Sequence, residues 1–225
     1  MKKLKIDIVS DVVCPWCYIG NGRLEKALSE TSGIDAEISW HPFQLHPDVT
    51  EGSAISLPEY LGKKYGQDPK PMIQQVQNIA KSEGLEMEME KVQGVPNTVQ
   101  AHTLMHFARE EGKDKELSLE LFKAYFAESQ DMEDKATLME LGKKVGLSAE
   151  ALTKFETSEE GKAEVLKEES NYRMMGVNAV PTFIINDKYM IQGAQPVEVW
   201  KQAFEQVEGL QTGSDAVCGP DSCDF

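Results

Sequence analysis

The chain has 225 residues, 40% of them hydrophobic, which is enough for the packed core of one domain with an insertion. Its 23 basic and 38 acidic residues give a formal net charge of −15, which disfavours nucleic acid and anionic membrane surfaces as partners. Asp7, Ser10 and Asp11 interrupt the apolar start of the chain, so it does not match an export signal, and no run approaches a membrane span. We therefore expect a cytoplasmic protein, in which paired cysteines are more often catalytic than structural.

The first predicted elements are a strand, a helix and a second strand. Residues 4–9 form an apolar run typical of a buried strand, and residues 19–28 continue with helical spacing until Gly33 breaks the pattern. Residues 36–43 alternate between apolar and polar and predict the second strand. This order predicts a β-α-β unit at the start of the chain.

Two cysteines, Cys14 and Cys17, lie at the junction between the first strand and the helix. Pro15 falls in the predicted first turn of the helix, where its missing N–H costs nothing. Cys14 then lies at the helix N-terminus, which favours an anion such as a thiolate. Cys17 is one turn further along and can form a disulfide with Cys14 or resolve a mixed disulfide. A Cys-x-x-Cys in this context is typical of a thioredoxin-like redox motif.

The residues leave two alternatives open around this motif. Cys14 and Cys17 could form half of a zinc site completed by Cys218 and Cys223, although the helix that follows Cys17 favours redox chemistry, and we expect no metal. Asp11, three residues before Cys14, is predicted either to take a proton from Cys17 or to cap the helix.

A helical block separates this unit from the last strands. Apolar residues recur with helical spacing across residues 57–166, and strand signals return at residues 177–185 and 189–191, which predicts a hairpin. A closing helix is expected at residues 196–207. The fold class is therefore α/β, a thioredoxin fold with an inserted all-helical domain. The predicted divisions are residues 1–50 and 176–208 for the thioredoxin-like domain, 51–175 for the insertion, whose last helix packs on the core, and 209–225 for a flexible tail.

Several motifs together resemble one family. They are the stretch from Asp11 to Gly20, Asn97-Thr98 followed by Ala101-His102, the run from Leu121 to Phe126, Gly176-Val177 through Val180-Pro181-Thr182-Phe183, and Gly193-Ala194-Gln195-Pro196. Over about residues 5–205 the chain resembles the cytoplasmic DsbA-like oxidoreductases of the FrnE type. That family is a branch of the thioredoxin superfamily, which also includes 2-hydroxychromene-2-carboxylate isomerases and kappa-class glutathione transferases.

The resemblance implies a thiol–disulfide oxidoreductase, with disulfide isomerase activity left open. Cys14 would be the nucleophile and Cys17 the resolving thiol, acting on protein or small-thiol disulfides. Pro181 would be a cis-proline that faces the cysteines, where an extended substrate could pair with the backbone of residue 180. The implied substrate-binding candidates are Trp16, Val180, Thr182, Asn97 and His102.

The same resemblance raises a glutathione-dependent isomerase or transferase as the competing function. Those relatives carry serine at the position of Cys14, so the cysteine here favours the redox branch. No cofactor is expected, although glutathione stays open as a co-substrate, and the oligomeric state is not predicted. Cys218 and Cys223, separated by four residues with a Gly-Pro turn, are candidates for an auxiliary redox pair; the alternatives are a passive tail and an accessory metal site.

Overall fold

The architecture is that of a computed structural model, which describes residues 2–49, 52, 55–157 and 159–212. Four strands and nine α-helices occur within these residues, together with a short 3-10 helix at Met89–Lys91. In chain order they are β1 (Lys2–Ser10), α1 (Pro15–Glu30), β2 (Ile34–Pro42), α2 (Leu57–Tyr65), α3 (Lys70–Ser82), α4 (Val99–Glu110), α5 (Asp114–Phe126), α6 (Lys135–Lys144), α7 (Ala149–Thr157), α8 (Glu159–Met174), β3 (Thr182–Ile185), β4 (Tyr189–Gln192) and α9 (Val197–Thr212).

The strands form one sheet in the order β2-β1-β3-β4. β1 is parallel to β2 and antiparallel to β3, and β3 is antiparallel to β4. A β-α-β unit and a β-β-α unit thus share the sheet, with α2 to α8 between them. This arrangement confirms the predicted thioredoxin fold with a helical insertion.

The turn between β3 and β4 is fixed by residues that tolerate left-handed backbone conformations. Asn186 and Asp187 have φ of 51° and 55°, and the Lys188 N–H donates to the Ile185 carbonyl at 3.1 Å. Two consecutive positive φ angles are typical of a type I′ hairpin turn. The Asn186 side chain also accepts the backbone N–H of Lys5 at 3.0 Å, which attaches the turn to β1.

Two elements differ from the sequence prediction. Strand pairing was expected from residue 177, but β3 begins at Thr182, where the ladder with Val9 starts. Pro181 has no N–H to donate to a ladder, so pairing begins after it. At the other end, α9 continues to Thr212 and so extends into the segment expected to be a flexible tail. A single glycine such as Gly209 costs a helix only about 1 kcal/mol relative to alanine.

The inserted helices pack directly on the sheet and on α1. α4, α5 and α8 each contact β2. Tyr18 of α1 stacks on Phe122 of α5, with 5.0 Å between ring centroids. Buried residues of both regions form one continuous hydrophobic cluster. The helix that carries the cysteines is therefore held from both sides, while the domain boundaries proposed above remain a prediction. No helix in the described part of the chain is both long and apolar enough to cross a membrane.

A largely buried network of charged side chains links the sheet to the insertion. His41 of β2 lies between two carboxylates, with Nε2 2.8 Å from Asp7 Oδ1 and Nδ1 2.6 Å from Glu168 Oε1. Arg109 of α4 donates to both oxygens of Glu168 at 2.8 Å. Burial alone would lower the pKa of His41, but its bonds to Asp7 and Glu168 raise it. Burial alone would raise the pKa of Glu168, but His41 and Arg109 lower it to about 2.

Glu168→Gln is expected to destabilise the protein by about 1–3 kcal/mol at pH 7, because it leaves Arg109 without its carboxylate and His41 with Asp7 as its one remaining carboxylate. The folded-state pKa of Glu168 lies below its ordinary value of 4.5, so its contribution is complete above that pH and is lost as the pH falls towards 2. Urea unfolding at several pH values should show the gap between wild type and variant closing over this range.

Glu164→Gln is the matched control on the same helix. Its carboxylate is half exposed and lies 3.3 Å from Lys167, so its loss should cost less than about 1 kcal/mol. Equal destabilisation by the two variants would contradict a structural role for the Glu168 network.

Candidate active site

Cys14 lies at the junction between β1 and α1. It is the N-cap residue of α1, and Pro15 follows in the first turn, as the sequence predicts. The Cys14 N–H donates to the Asp11 carbonyl, and the Cys14 carbonyl accepts the N–H of Cys17, each at 3.0 Å. These bonds fix Cys14 at the N-terminus of α1, the end of a helix where unpaired N–H groups attract negative charge.

The segment before β3 lies against Cys14. The Val180–Pro181 peptide bond is cis, as the resemblance implies. The Cys14 thiol donates to the Val180 carbonyl, with 3.6 Å between sulfur and oxygen. The Pro181 carbonyl in turn accepts the N–H of Gly193 at 2.8 Å. The loop after β4 therefore holds Pro181 in place beside the nucleophile candidate.

The two cysteines have different environments. Cys17 has no exposed surface, and Cys14 is 3% exposed. Burial raises the pKa of the Cys17 thiol well above its usual range, and the neighbouring Cys14 sulfur raises it further. The Asp11 backbone N–H and the Ser10 hydroxyl oppose this rise; Ser10 faces the sulfur without completing a hydrogen bond. Both cysteines are free thiols, and Cys17 is held in the protonated form at neutral pH.

The Asp11 carboxylate is fully buried and does not cap α1. Its Oδ2 accepts the N–H of Leu45 at 2.7 Å, and its Oδ1 lies 3.5 Å from the N–H of Val13, both outside the helix. The N-cap position belongs to Cys14, so the capping alternative is wrong. The carboxylate instead attaches the cysteine loop to the segment after β2. Acceptance of the Cys17 proton by this carboxylate remains a prediction.

Three of the proposed substrate-binding residues lie around Cys14. Trp16 is 38% exposed, and Val180 is half-buried. Thr182 is fully buried, and its hydroxyl donates to the Ala179 carbonyl at 2.7 Å. Trp16 and Val180 thus have accessible surface, and their contact with a substrate remains a prediction, while Thr182 fixes the loop that contains Pro181.

The other two, Asn97 and His102, lie at α4. The Asn97 side chain accepts the N–H of Val99 at 3.1 Å and donates to the Val49 carbonyl at 3.3 Å, which fixes the start of the helix. His102 is 5% exposed, and its Nε2 lies 3.4 Å from Asp11 Oδ1 without the alignment of a hydrogen bond. Their contact with a substrate remains a prediction.

Cys218 and Cys223 lie outside the described residues. The auxiliary redox pair and the zinc site that involve them therefore remain predictions. Among the residues that the structure describes, no group of three or more His, Cys, Asp or Glu side chains is arranged to hold a metal ion.

Two residues of the site were not identified from the sequence. Ser10, at the end of β1, is one of the groups that oppose the raised pKa of Cys17, and Gly20 of α1 lies against Pro181. A Cβ added at Gly20 would be 3.1 Å from Pro181 Cγ and 3.3 Å from Phe183 Cζ. The sequence held a signal for each of them: Ser10 is a polar residue that ends an apolar strand, and Gly20 is a glycine inside a helix.

Comparisons with known proteins agree with this geometry. Residues 5–205 match the DSBA-like thioredoxin domain family. The chain is 32% identical over 203 residues to the uncharacterized protein YwbO of Bacillus subtilis, covering 88% of this chain and 94% of that protein.

Solved structures agree as well. A probable DsbA oxidoreductase from Streptomyces coelicolor is 29% identical with a TM-score of 0.85, covering 99% of each chain. The cytosolic disulfide reductase DsbM of Pseudomonas aeruginosa, solved with GSH, is 17% identical with a TM-score of 0.62, covering 92% of this chain and all of that chain, which shows a shared fold. With the family match spanning most of its length and two free thiols at the start of α1, the chain belongs to the DsbA-like thioredoxin domain family.

Proposed function

We propose that the protein is a thiol–disulfide oxidoreductase that works through a mixed disulfide on Cys14. The observation that carries this proposal is the position of the Cys14 sulfur, at the N-terminus of α1 and 3.6 Å from the Val180 carbonyl. The Cys14 thiolate attacks one sulfur of a substrate disulfide, and the other sulfur leaves as a thiolate. Cys17 then attacks Cys14, which releases the second substrate thiol and leaves a Cys14–Cys17 disulfide.

The burial of the two thiols supports this division of roles. Cys14 has a small exposed surface through which a substrate sulfur can reach it, whereas Cys17 has no exposed surface. A raised pKa keeps Cys17 protonated and unreactive until a mixed disulfide forms beside it. A dithiol arranged in this way reduces disulfides, and its oxidised form introduces them, according to the redox partner present.

Exposed apolar side chains next to Cys14 and on the chain segment that leads to Pro181 support protein disulfides as substrates. Trp16 is 38% exposed beside the nucleophile. Met174 and Met175, at the end of α8 and just before the segment that leads to Pro181, are 76% and 60% exposed. Methionine and aromatic side chains adapt to varied peptide sequences. Disulfide isomerisation would use the same surface, with Cys14 attacking a mispaired disulfide.

Glutathione as a co-substrate is the second candidate. DsbM of Pseudomonas aeruginosa, which shares the fold, is described as a cytosolic disulfide reductase and was solved with GSH. By analogy we propose that this chain also works in the cytoplasm and that glutathione can reduce its disulfide. Cys14 favours exchange chemistry over the glutathione-dependent isomerase or transferase reaction.

Equilibration in glutathione redox buffers tests the proposed function. As the buffer becomes more oxidising, mass spectrometry after acid quench and alkylation should show loss of the Cys14 and Cys17 thiols together, with a Cys14–Cys17 disulfide as the product. A zinc assay on the same preparation should find no bound metal. Stable bound zinc that protects both thiols would instead indicate the zinc-stabilised binding module. A glutathionylated Cys14 that never gives the Cys14–Cys17 disulfide would indicate the glutathione-dependent enzyme.

A further inference from the structure

A small internal cavity lies between β1, β2, α4, α5 and α8, behind the cysteine motif. Its lining includes Ser10, Trp40, His102 and His106. About 10 Å³ of its volume is open to a water-sized sphere. This is close to the minimum needed to hold one water molecule.

Four polar atoms of these residues are buried without a hydrogen-bond partner in the described part of the chain. They are Ser10 Oγ, Trp40 Nε1, His102 Nε2 and His106 Nδ1. A buried polar atom left unpaired costs about 1–3 kcal/mol, so four around one cavity would be a heavy penalty. An internal water molecule makes about two to four hydrogen bonds, and this set provides a donor at Trp40 and mixed donors and acceptors elsewhere.

Two of the lining residues relate the cavity to the buried thiol and to the surface. Ser10 lines the cavity, and its hydroxyl is one of the two groups that oppose the raised pKa of the Cys17 thiol. His106 lies one helical turn after His102, and its side chain is 19% exposed. Its Nε2 lies 3.8 Å from the exposed Glu110 carboxylate. The polar groups therefore run from the Cys17 sulfur through the cavity to solvent.

We propose that one water molecule bound in this cavity links Ser10 to His106 and conducts the Cys17 proton to the surface when the mixed disulfide is resolved. The inference rests on the proposed function. His102, also facing the water, positions it.

Cys17 attacks the Cys14 sulfur, a Cys14–Cys17 bond forms, and the bond between Cys14 and the substrate sulfur breaks. The electron pair leaves on the substrate sulfur, which is reduced while Cys17 is oxidised. The Cys17 proton passes to Ser10, whose own proton passes through the water to His106, and solvent protonates the departing thiolate.

The other charged groups around the cavity have partners of their own. His41, Arg109 and Glu168 line its far wall and bond to one another. Asp11 lies beside His102, and its carboxylate accepts the Leu45 N–H, while its backbone N–H faces Cys17. His106 is therefore the lining group that combines a free buried nitrogen with access to solvent.

Release of a coloured thiol from a mixed disulfide tests this path. Wild type and variants are loaded with 5-thio-2-nitrobenzoate on Cys14, and its release by Cys17 is followed by rapid mixing across a range of pH. Ser10→Ala and His106→Phe should slow release at least about tenfold at neutral pH, the lower range of general-base effects. Their rates should continue to rise with pH after the wild-type rate has levelled off. Alkylation of Cys14 by iodoacetamide should keep its wild-type rate.

Trp40→Phe and Trp200→Phe form a matched pair. Both tryptophans are buried with an unpaired indole N–H, but only Trp40 lines the cavity. Trp40→Phe should slow release and weaken the water density in a high-resolution crystal structure, and Trp200→Phe should do neither.

Two results would overturn the proposal while leaving the proposed function intact. One is wild-type release rates and pH profiles in Ser10→Ala and His106→Phe. The other is a large loss of rate in Asp11→Asn alone, which would make the Asp11 carboxylate the proton acceptor. Failure of wild-type Cys14 to form the mixed disulfide at all would instead contradict the proposed function.

Discussion

Serine in place of Cys14 should abolish disulfide exchange, with turnover reduced by at least about 10³-fold, because a hydroxyl is not ionised at neutral pH and cannot form the mixed disulfide. Serine in place of Cys17 should leave the first attack intact and stop the second. A Cys17→Ser protein incubated with an oxidised protein substrate should therefore accumulate a covalent complex through Cys14.

Insulin reduction and non-reducing electrophoresis measure these two effects. The double variant, with serine at both positions, is the control and should form no complex. Cys17 contributes to the core, so circular dichroism and urea unfolding must show that each variant is folded. Undiminished turnover in folded Cys14→Ser, or complexes formed equally well by the double variant, would contradict the assigned roles.

Gly20→Val should separate Pro181 from the cysteines. The Cβ alone would approach Pro181 Cγ to 3.1 Å and the Ala194 Cα to 3.4 Å, and the two further methyl groups need space that these neighbours occupy. Overpacking of a buried site costs about 1–3 kcal/mol. The less costly movement is a shift of the Pro181 segment, which would also move the Val180 carbonyl away from the Cys14 sulfur. Turnover with a protein disulfide should therefore fall about tenfold or more if the segment moves by about 1 Å.

Gly22→Val is the matched control two residues later on α1. The three atoms nearest to a Cβ at Gly22 belong to the Leu85 side chain, at 3.4 Å or more, and that side chain can rotate. Its stability and turnover should remain close to those of wild type. Alkylation of Cys14 by iodoacetamide should be retained in both variants, since the helix N-terminus is unchanged. Equal behaviour of the two valine variants would show that Pro181 does not depend on close contact with α1.

Local patterns predicted much of the fold. The helix start at Pro15 and the turn at Asn186 and Asp187 depend on residues close to them in the sequence. Both features could therefore be predicted from the local sequence. The ends of long helices were predicted less accurately than their existence. α8 begins at Glu159, and its exposed, highly charged first turns carry little hydrophobic periodicity, so the apolar pattern does not mark where this helix starts.

The sequence by itself determined that Cys14 and Cys17 lie close together, because two residues one helical turn apart at a helix start are neighbours whatever the rest of the chain does. Only the tertiary structure decided what surrounds them. Val180 lies 166 residues from Cys14 along the chain, and the cavity behind Cys17 collects residues from β1, β2 and α4. Such contacts follow from the packing of whole helices against the sheet, a sum of many weak interactions that no local pattern records.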